Sequence, residues 1–256
     1  MSRLTTLLFD VDGTLAETEE IHRHSFNRCF AEAGLDWVWS KPCYAELLAV
    51  TGGKERIRYY LQRYRPDFRA PKAIDAFIAD LHAAKTAIYT RAVAAGDVPL
   101  RPGVRRLLME AREAGARLAI TTTTTVDNVT ALLQHSLAPD AERWFEVIGA
   151  GSVVPAKKPA PDIYHYVMEK MNVMPQECLA LEDSANGLRS ARAAGVVTLV
   201  TTSEYTRDER FDGAALVIDQ LGEPGRPFTV VCGDAGGHRY VTLELLRELH
   251  AKDPAP

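Results

Sequence analysis

Through its second half this chain alternates short apolar runs with helical patterns, and each apolar run ends abruptly in polar residues. Leu118-Ala119-Ile120 runs into five threonines, Thr121 to Thr125, and Cys178-Leu179-Ala180-Leu181 runs into Glu182-Asp183-Ser184. Near the amino terminus, Leu7-Leu8-Phe9 runs into Asp10-Val11-Asp12-Gly13-Thr14. Runs of this kind read as strands buried on both faces, and their alternation with helices argues for a parallel sheet covered on both sides. Strands are expected at residues 4–10, 117–121, 145–149, 178–181 and 196–200, with an edge strand at 214–218. Helices fall between them at 128–135, 162–171 and 185–194, the last ended by Gly195. The stretch separating the first two strands is instead helical, at 17–33, 41–49, 54–64 and 71–94. Gly96-Asp97-Val98-Pro99 then returns the chain to the core, where Pro102-Gly103-Val104 opens a helix with Leu107, Leu108 and Ala111 facing inward. The fold class is therefore α/β: a parallel-sheet core, residues 1–16 and 98–256, interrupted by a helical insertion at 17–97. Residues 222–237 show no periodicity, and 242–250 read as a terminal amphipathic helix.

Open α/β sheets bind ligands outside the carboxyl ends of their strands, so the polar residues that end these runs should converge on one site. Asp10 and Asp12, at the end of a buried strand, would repel one another unless a cation lay between them. Carboxylate, carbonyl and phosphate oxygens suit magnesium, which marks a place where a phosphate is held. Lys157-Lys158-Pro159-Ala160-Pro161-Asp162 is a basic turn opening a helix. In Thr51-Gly52-Gly53-Lys54, paired glycines permit close backbone approach, the following helix offers free amides, and Lys54 adds charge. That combination makes a second anion site. Lys54, Arg56, Arg58, Arg63 and Arg65 are spread around one helix, so two or three can face a ligand and the others are solvated.

Asp-x-Asp-Gly-Thr, a hydroxyl after a strand, Lys-Pro and Glu-Asp-Ser, in that order, resemble the four motifs of the haloacid dehalogenase (HAD) superfamily. The resemblance runs from Leu4 to about Phe211, toward the branch of small sugar phosphatases and β-phosphoglucomutases. Ala16-Glu17-Thr18-Glu19-Glu20, Thr51-Gly52-Gly53-Lys54-Glu55-Arg56-Ile57 and Tyr205-Thr206-Arg207 are similar to the CbbY group of xylulose-1,5-bisphosphate phosphatases. Those enzymes serve carbon fixation by removing an inhibitory by-product of Rubisco. The implied fold is a HAD-like Rossmannoid core with parallel sheet and an inserted helical cap domain.

The resemblance implies phosphoryl transfer through an aspartyl phosphate on Asp10, with Asp12 as acid and then base. Dehalogenases of the superfamily lack that acid, which points to phosphate esters. Thr122 would bind a phosphate oxygen and Lys158 would compensate its charge. The other threonines fill the strand or cap a helix, apart from Thr124, which contacts substrate. Magnesium would be held by Asp10, the Asp12 carbonyl and Asp183, with Glu182 orienting a water or Asp183. Glu17 and Thr18 lie at the first hinge, Glu17 touching substrate; Thr51, Gly52, Gly53, Lys54, His82 and Lys85 complete the substrate set. His22 shares the face of Thr18 but also occurs in the mutases. Tyr44 reads as core packing and Lys157 as solvated. A β-phosphoglucomutase-like mutase and a non-catalytic sugar-phosphate sensor remain the alternatives.

Composition excludes other classes. Thirty Lys plus Arg against 34 Asp plus Glu give a formal charge of -4, which offers nucleic acid no basic field. No apolar stretch approaches the roughly 20 residues of a membrane span, and no signal segment precedes the first strand. The expected partner is a small sugar phosphate, the location cytoplasmic, and the state a monomer or weak dimer. Cys29, Cys43, Cys178 and Cys232 are too widely spaced for a zinc site and read as reduced thiols.

Overall fold

The computed structural model describes residues 4–95, 98–151 and 153–252. The return expected at Gly96-Asp97, and the boundary at 97, lie outside them. Seven strands form one sheet: β1 (Thr6–Phe9), β2 (Arg117–Thr121), β3 (Val147–Gly149), β4 (Cys178–Glu182), β5 (Val197–Thr201), β6 (Leu216–Ile218) and β7 (Val230–Gly233), in the order β3-β2-β1-β4-β5-β6-β7. The first six are parallel, and β7 returns antiparallel to β6. The chain moves outward from β1 in both directions, so the crevice where strand order reverses opens at the end of β1. Phe9 is in register with Ile120 on one side and Leu181 on the other, which brings Asp10 level with Thr121 and Glu182.

Among the described residues five helices fall between β1 and β2, and the first four make up the helical stretch: α1 (Glu19–Glu32), α2 (Lys41–Leu48), α3 (Gly53–Tyr64) and α4 (Ile74–Ala95). They surround an apolar cluster of their own, rich in aromatics: Phe26, Phe30, Trp37, Trp39, Tyr44 and Tyr60 are all buried. Ser40 caps α2 by accepting from the Cys43 amide at 3.4 Å, with Pro42 in the first turn. The fifth, α5 (Val104–Glu113), leads into β2, and α6 (Val126–Leu132), α7 (Asp162–Met171), α8 (Ala185–Ala193) and α9 (Leu243–Lys252) come after β2, β3, β4 and β7. Side-chain alternation along β1 sends Leu7 and Phe9 into one cluster on the sheet and Leu8 into another beside Ile163, Tyr164 and Val167.

Two expectations change. The strand at 214–218 begins at Leu216 and lies inside the sheet, because β7 covers it. β7 comes from the stretch without periodicity: its residues are exposed, so no apolar alternation marks it. The helix expected at 128–135 starts at Val126, capped by the Thr125 hydroxyl, and runs on as a π turn to Leu137.

Arg101 ties these pieces together. Its guanidinium is 7% exposed and donates to the carbonyls of Gly13, Thr201 (3.2 Å), Thr202 (2.6 Å) and Asp219 (2.7 Å). It also pairs with Glu17 at 3.2 Å, while its own amide donates to the Leu15 carbonyl at 2.9 Å. The loop after β1, the start of the helical stretch and the ends of β5 and β6 thus share one cation.

Because the helical stretch has its own core, Phe30, at 0% exposed, should matter as much as a residue under the sheet. Phe30→Ala is expected to lower stability by about 3–5 kcal/mol, measured by urea unfolding.

Candidate active site

At the end of β1 the chain turns sharply, and Gly13 (φ 79°) makes the turn possible. A β-carbon there would collide with the Asp183 carboxylate, so the absent side chain also lets the β4 loop close against the β1 loop. Gly187 serves Glu182 in the same way, since a β-carbon in the first turn of α8 would occupy the space of that carboxylate. Asp10, Glu182 and Asp183 are all buried and each presents an oxygen within 4.8 Å of the others.

Lys158 projects into this group, its Nζ donating to Asp10 Oδ1 at 2.7 Å and Glu182 Oε1 at 2.6 Å. The Tyr164 hydroxyl also donates to Glu182, while Glu182 Oε2 is buried without a partner. Burial raises the Asp10 carboxyl, with Lys158 opposing and Glu182 adding to the rise. Burial, then Asp10 and Glu182, push Asp183 well above the usual carboxylate range. Lys158 is held charged against its own burial by Asp10 and Glu182. Ionising all three carboxyls against one ammonium would leave two negative charges in a desolvated place, which is why Asp10 and Asp183 are raised. The donor set is all oxygen, one oxygen is orphaned, and a divalent hard cation fits that deficit.

Asp12 answers to the helical stretch instead. Its Oδ1 accepts from the Thr18 hydroxyl and lies 3.0 Å from His22 Nε2, and the other ring nitrogen of His22 meets Lys85 Nζ. Burial acts to raise the Asp12 carboxyl, but His22 and Thr18 outweigh it and bring it down to about 2. Burial also draws Lys85 down to about 7, against the pull of Asp12. His22 stacks on Tyr89 with ring centroids 4.1 Å apart.

A cavity of about 400 Å³ runs from Asp10, Asp12, Lys158 and Asp183 to the glycine turn ahead of α3. Thr51, Gly52, Gly53, Lys54, Arg56, His82 and Lys85 line its far end, and Thr122 to Thr125 line its side. Burial, with Lys85, Lys54 and Lys157 nearby, pushes His82 down to about 4, which leaves a neutral ring. Thr122 is buried, and its hydroxyl accepts from the Thr124 amide at 3.3 Å; Thr124 in turn accepts from Asn128 Nδ2 at 2.9 Å. Of the basic residues on α3 and at its end, Lys54 and Arg56 reach the cavity, while Arg58 and Arg65 pair with Asp75 and Asp36.

Two residues stand elsewhere than the sequence suggests. Glu17 does not line this cavity; it pairs with Arg101 on the rim of a second cavity behind the hinge. The ion pair fixes it there, a contact invisible in sequence. Lys157 is not simply solvated: it lines the main cavity and pairs with Glu55 at 2.9 Å. Tyr44, fully buried, is core as expected, yet its hydroxyl also links Arg56 to Glu19. Tyr164, Asn128 and Asn186 also belong to the cavity or its carboxylates. Nothing in their local sequence separates them from ordinary helix residues.

Comparison with known proteins identifies the family. The model of haloacid dehalogenase-like hydrolases matches residues 4–195. The chain is 46% identical over 247 residues to the plasmid-encoded protein CbbY of Cupriavidus necator, an alignment covering 96% of this chain and 97% of that one. It is 51% identical to CbbY of Rhodobacter capsulatus, over 85% of this chain and 94% of that one. The fold also superposes on the crystal structure of CbbY (mutant D10N) from Rhodobacter sphaeroides in complex with xylulose-1,5-bisphosphate. That match has a TM-score of 0.82 and 46% identity, covering 87% of this chain and 96% of that one. The chain belongs to the haloacid dehalogenase-like hydrolases, within their CbbY group, and is a phosphoric monoester hydrolase.

Proposed function

We propose that this enzyme hydrolyses a sugar bisphosphate, xylulose 1,5-bisphosphate to xylulose 5-phosphate and phosphate, with magnesium as cofactor. The observation that carries the reading is the single cavity with Asp10 and Lys158 at one end and the Gly52-Gly53-Lys54 turn at the other. Two anion sites in one cavity suit a substrate with a phosphate at each end, and the bisphosphate bound to a CbbY relative supports the same substrate. On this reading residues 17–97 are the cap and 1–16 with 98–256 the core.

Asp10, the Asp12 carbonyl and Asp183 would hold magnesium, which offsets the charge of the phosphate that an anionic nucleophile must approach. Glu182, engaged by Lys158 and Tyr164, orients rather than binds. Asp10 then attacks phosphorus; its new O–P bond forms as the ester O–P bond breaks. Lys158 and Thr122 stabilise the charge spread over the phosphoryl oxygens. Asp12 gives the departing sugar oxygen its proton and later takes one from the water that hydrolyses the aspartyl phosphate. Thr18 and His22 hold Asp12 ionised in this structure, the form needed for the second step. For the first, it takes up a proton as the phosphate, a like charge, arrives beside it. At the far end Lys54, Arg56 and the turn amides would bind the remote phosphate, with His82, Lys85 and Thr124 toward the sugar.

Phosphate release across a panel of pentulose and hexose mono- and bisphosphates tests the proposal. Xylulose 1,5-bisphosphate should give the highest kcat/KM with stoichiometric free phosphate; an isomerised sugar phosphate without free phosphate would establish a mutase instead. Asp10→Asn is expected to abolish release while bisphosphate binding persists by calorimetry, and a near-normal rate would remove Asp10 from the nucleophile role. Lys54→Ala should raise KM for bisphosphates about tenfold and leave that for monophosphates nearly unchanged.

The raised carboxyls also predict how magnesium acts on stability. A carboxyl raised in the folded state penalises folding once the pH exceeds its unfolded value near 3.9, and the penalty grows as the pH climbs toward the folded value. A bound cation removes that penalty. Magnesium should therefore raise Tm more at neutral than at acidic pH, read by scanning calorimetry with and without chelator; an equal rise at both would place the ion elsewhere.

A further inference from the structure

The ion pair between Lys157 and Glu55 takes no part in the chemistry above, yet it joins the helical unit to the sheet unit across the cavity. Lys157 leaves the core one residue before Lys158, and Glu55 lies in the first turn of α3. Nζ and Oε2 are 2.9 Å apart, with the lysine side chain 18% exposed and the glutamate 47%. Their contact fills the space in front of Gly52, whose φ is 99°. A β-carbon at Gly52 would collide with the Glu55 carboxylate and come within 2.6 Å of the Lys157 amino group. On the same turn, Asn186 of α8 donates Nδ2 to the Thr51 hydroxyl at 3.1 Å and to the Ala49 carbonyl at 3.4 Å. The glycine turn is thus gripped by the loop carrying Lys158 and by the first turn of α8. Another bridge between the units, Lys41 to Glu204, is more than half exposed at both ends, where water and salt weaken it.

We propose that Lys157 is a positioning residue for the hydrolysis: its pair with Glu55 seats the Gly52-Gly53 turn on the core, so that both anion sites face one closed cavity. The inference rests on the reading of that turn as the remote-phosphate site. A pair that spans two units forms only when they are apposed, and it therefore adds to the stability of the closed complex rather than to bond breaking. Its signature is a change in KM without a comparable change in kcat. Because Glu55 is half exposed, the contribution also fades with ionic strength.

The test is a double-mutant cycle of Lys157→Met, Glu55→Gln and the two combined, with Lys157→Arg as the conservative variant. Phosphate release is measured at low and high sodium chloride, on whichever sugar phosphate the wild type hydrolyses best. Each single change should raise KM about fivefold at low salt with kcat held within about twofold. The double variant should be no worse than the more impaired single, Lys157→Arg should stay near wild type, and high salt should erase the difference. Additive losses in the double variant, a fall in kcat with KM unchanged, or wild-type KM in both singles would overturn the proposal. Failure of the wild type on xylulose 1,5-bisphosphate would sink the substrate assignment alone, since the cycle is then read on another sugar phosphate.

Discussion

One ammonium group set among three buried carboxylates governs the architecture of this enzyme. Lys158 satisfies Asp10 and Glu182 together, but it makes no bond to Asp183 and leaves one oxygen of Glu182 without a partner. Charges that deep are tolerated only when every neighbour contributes: Tyr164 donates from below, and glycines at 13 and 187 keep β-carbons out of the carboxylates' space. The parallel register of β1 with β2 and β4 exists in service of this group, because it is the ends of those strands that bring it together.

The two aspartates of the β1 loop are one residue apart in sequence but are held by different bodies. Asp10 is bound from the sheet side by Lys158, and Asp12 from the helical side by Thr18 and His22. The aromatic cluster of α1 to α4 makes the helical side a stiff body in its own right, so the placement of Asp12 follows the placement of that whole body. If Asp10 is the nucleophile and Asp12 the acid-base group, as proposed, productive geometry depends on how the helical stretch meets the sheet.

Much of this was legible beforehand. Apolar runs ending in polar residues located the first five strands, and the strand-end rule put Asp10, the threonine run and Asp183 at one edge of the sheet, while Thr122 and Lys158 were singled out by their resemblance to known motifs. Paired glycines ahead of α3 marked the far end for the same reason: local backbone requirements leave a trace in residue type. Contacts made by long side chains across the fold leave none. Nothing near Glu17 announces Arg101, nothing near Lys157 announces Glu55, and Tyr164 looks like any apolar helix residue until Glu182 is placed beside it. β7 escaped for a related reason, since a strand solvated on both faces shows no alternation.

Arg101 grips its surroundings largely through main-chain carbonyls, those of Gly13, Thr201, Thr202 and Asp219. Main-chain acceptors are supplied by every amino acid, so a change of side chain at Thr202 or Asp219 leaves those acceptors in place, whereas a change at position 101 removes the donor to all of them. One side chain thereby adds, to the strand pairing of β5 and β6, a tie from both strand ends back to the loop after β1, and the tie asks nothing of the side chains it reaches.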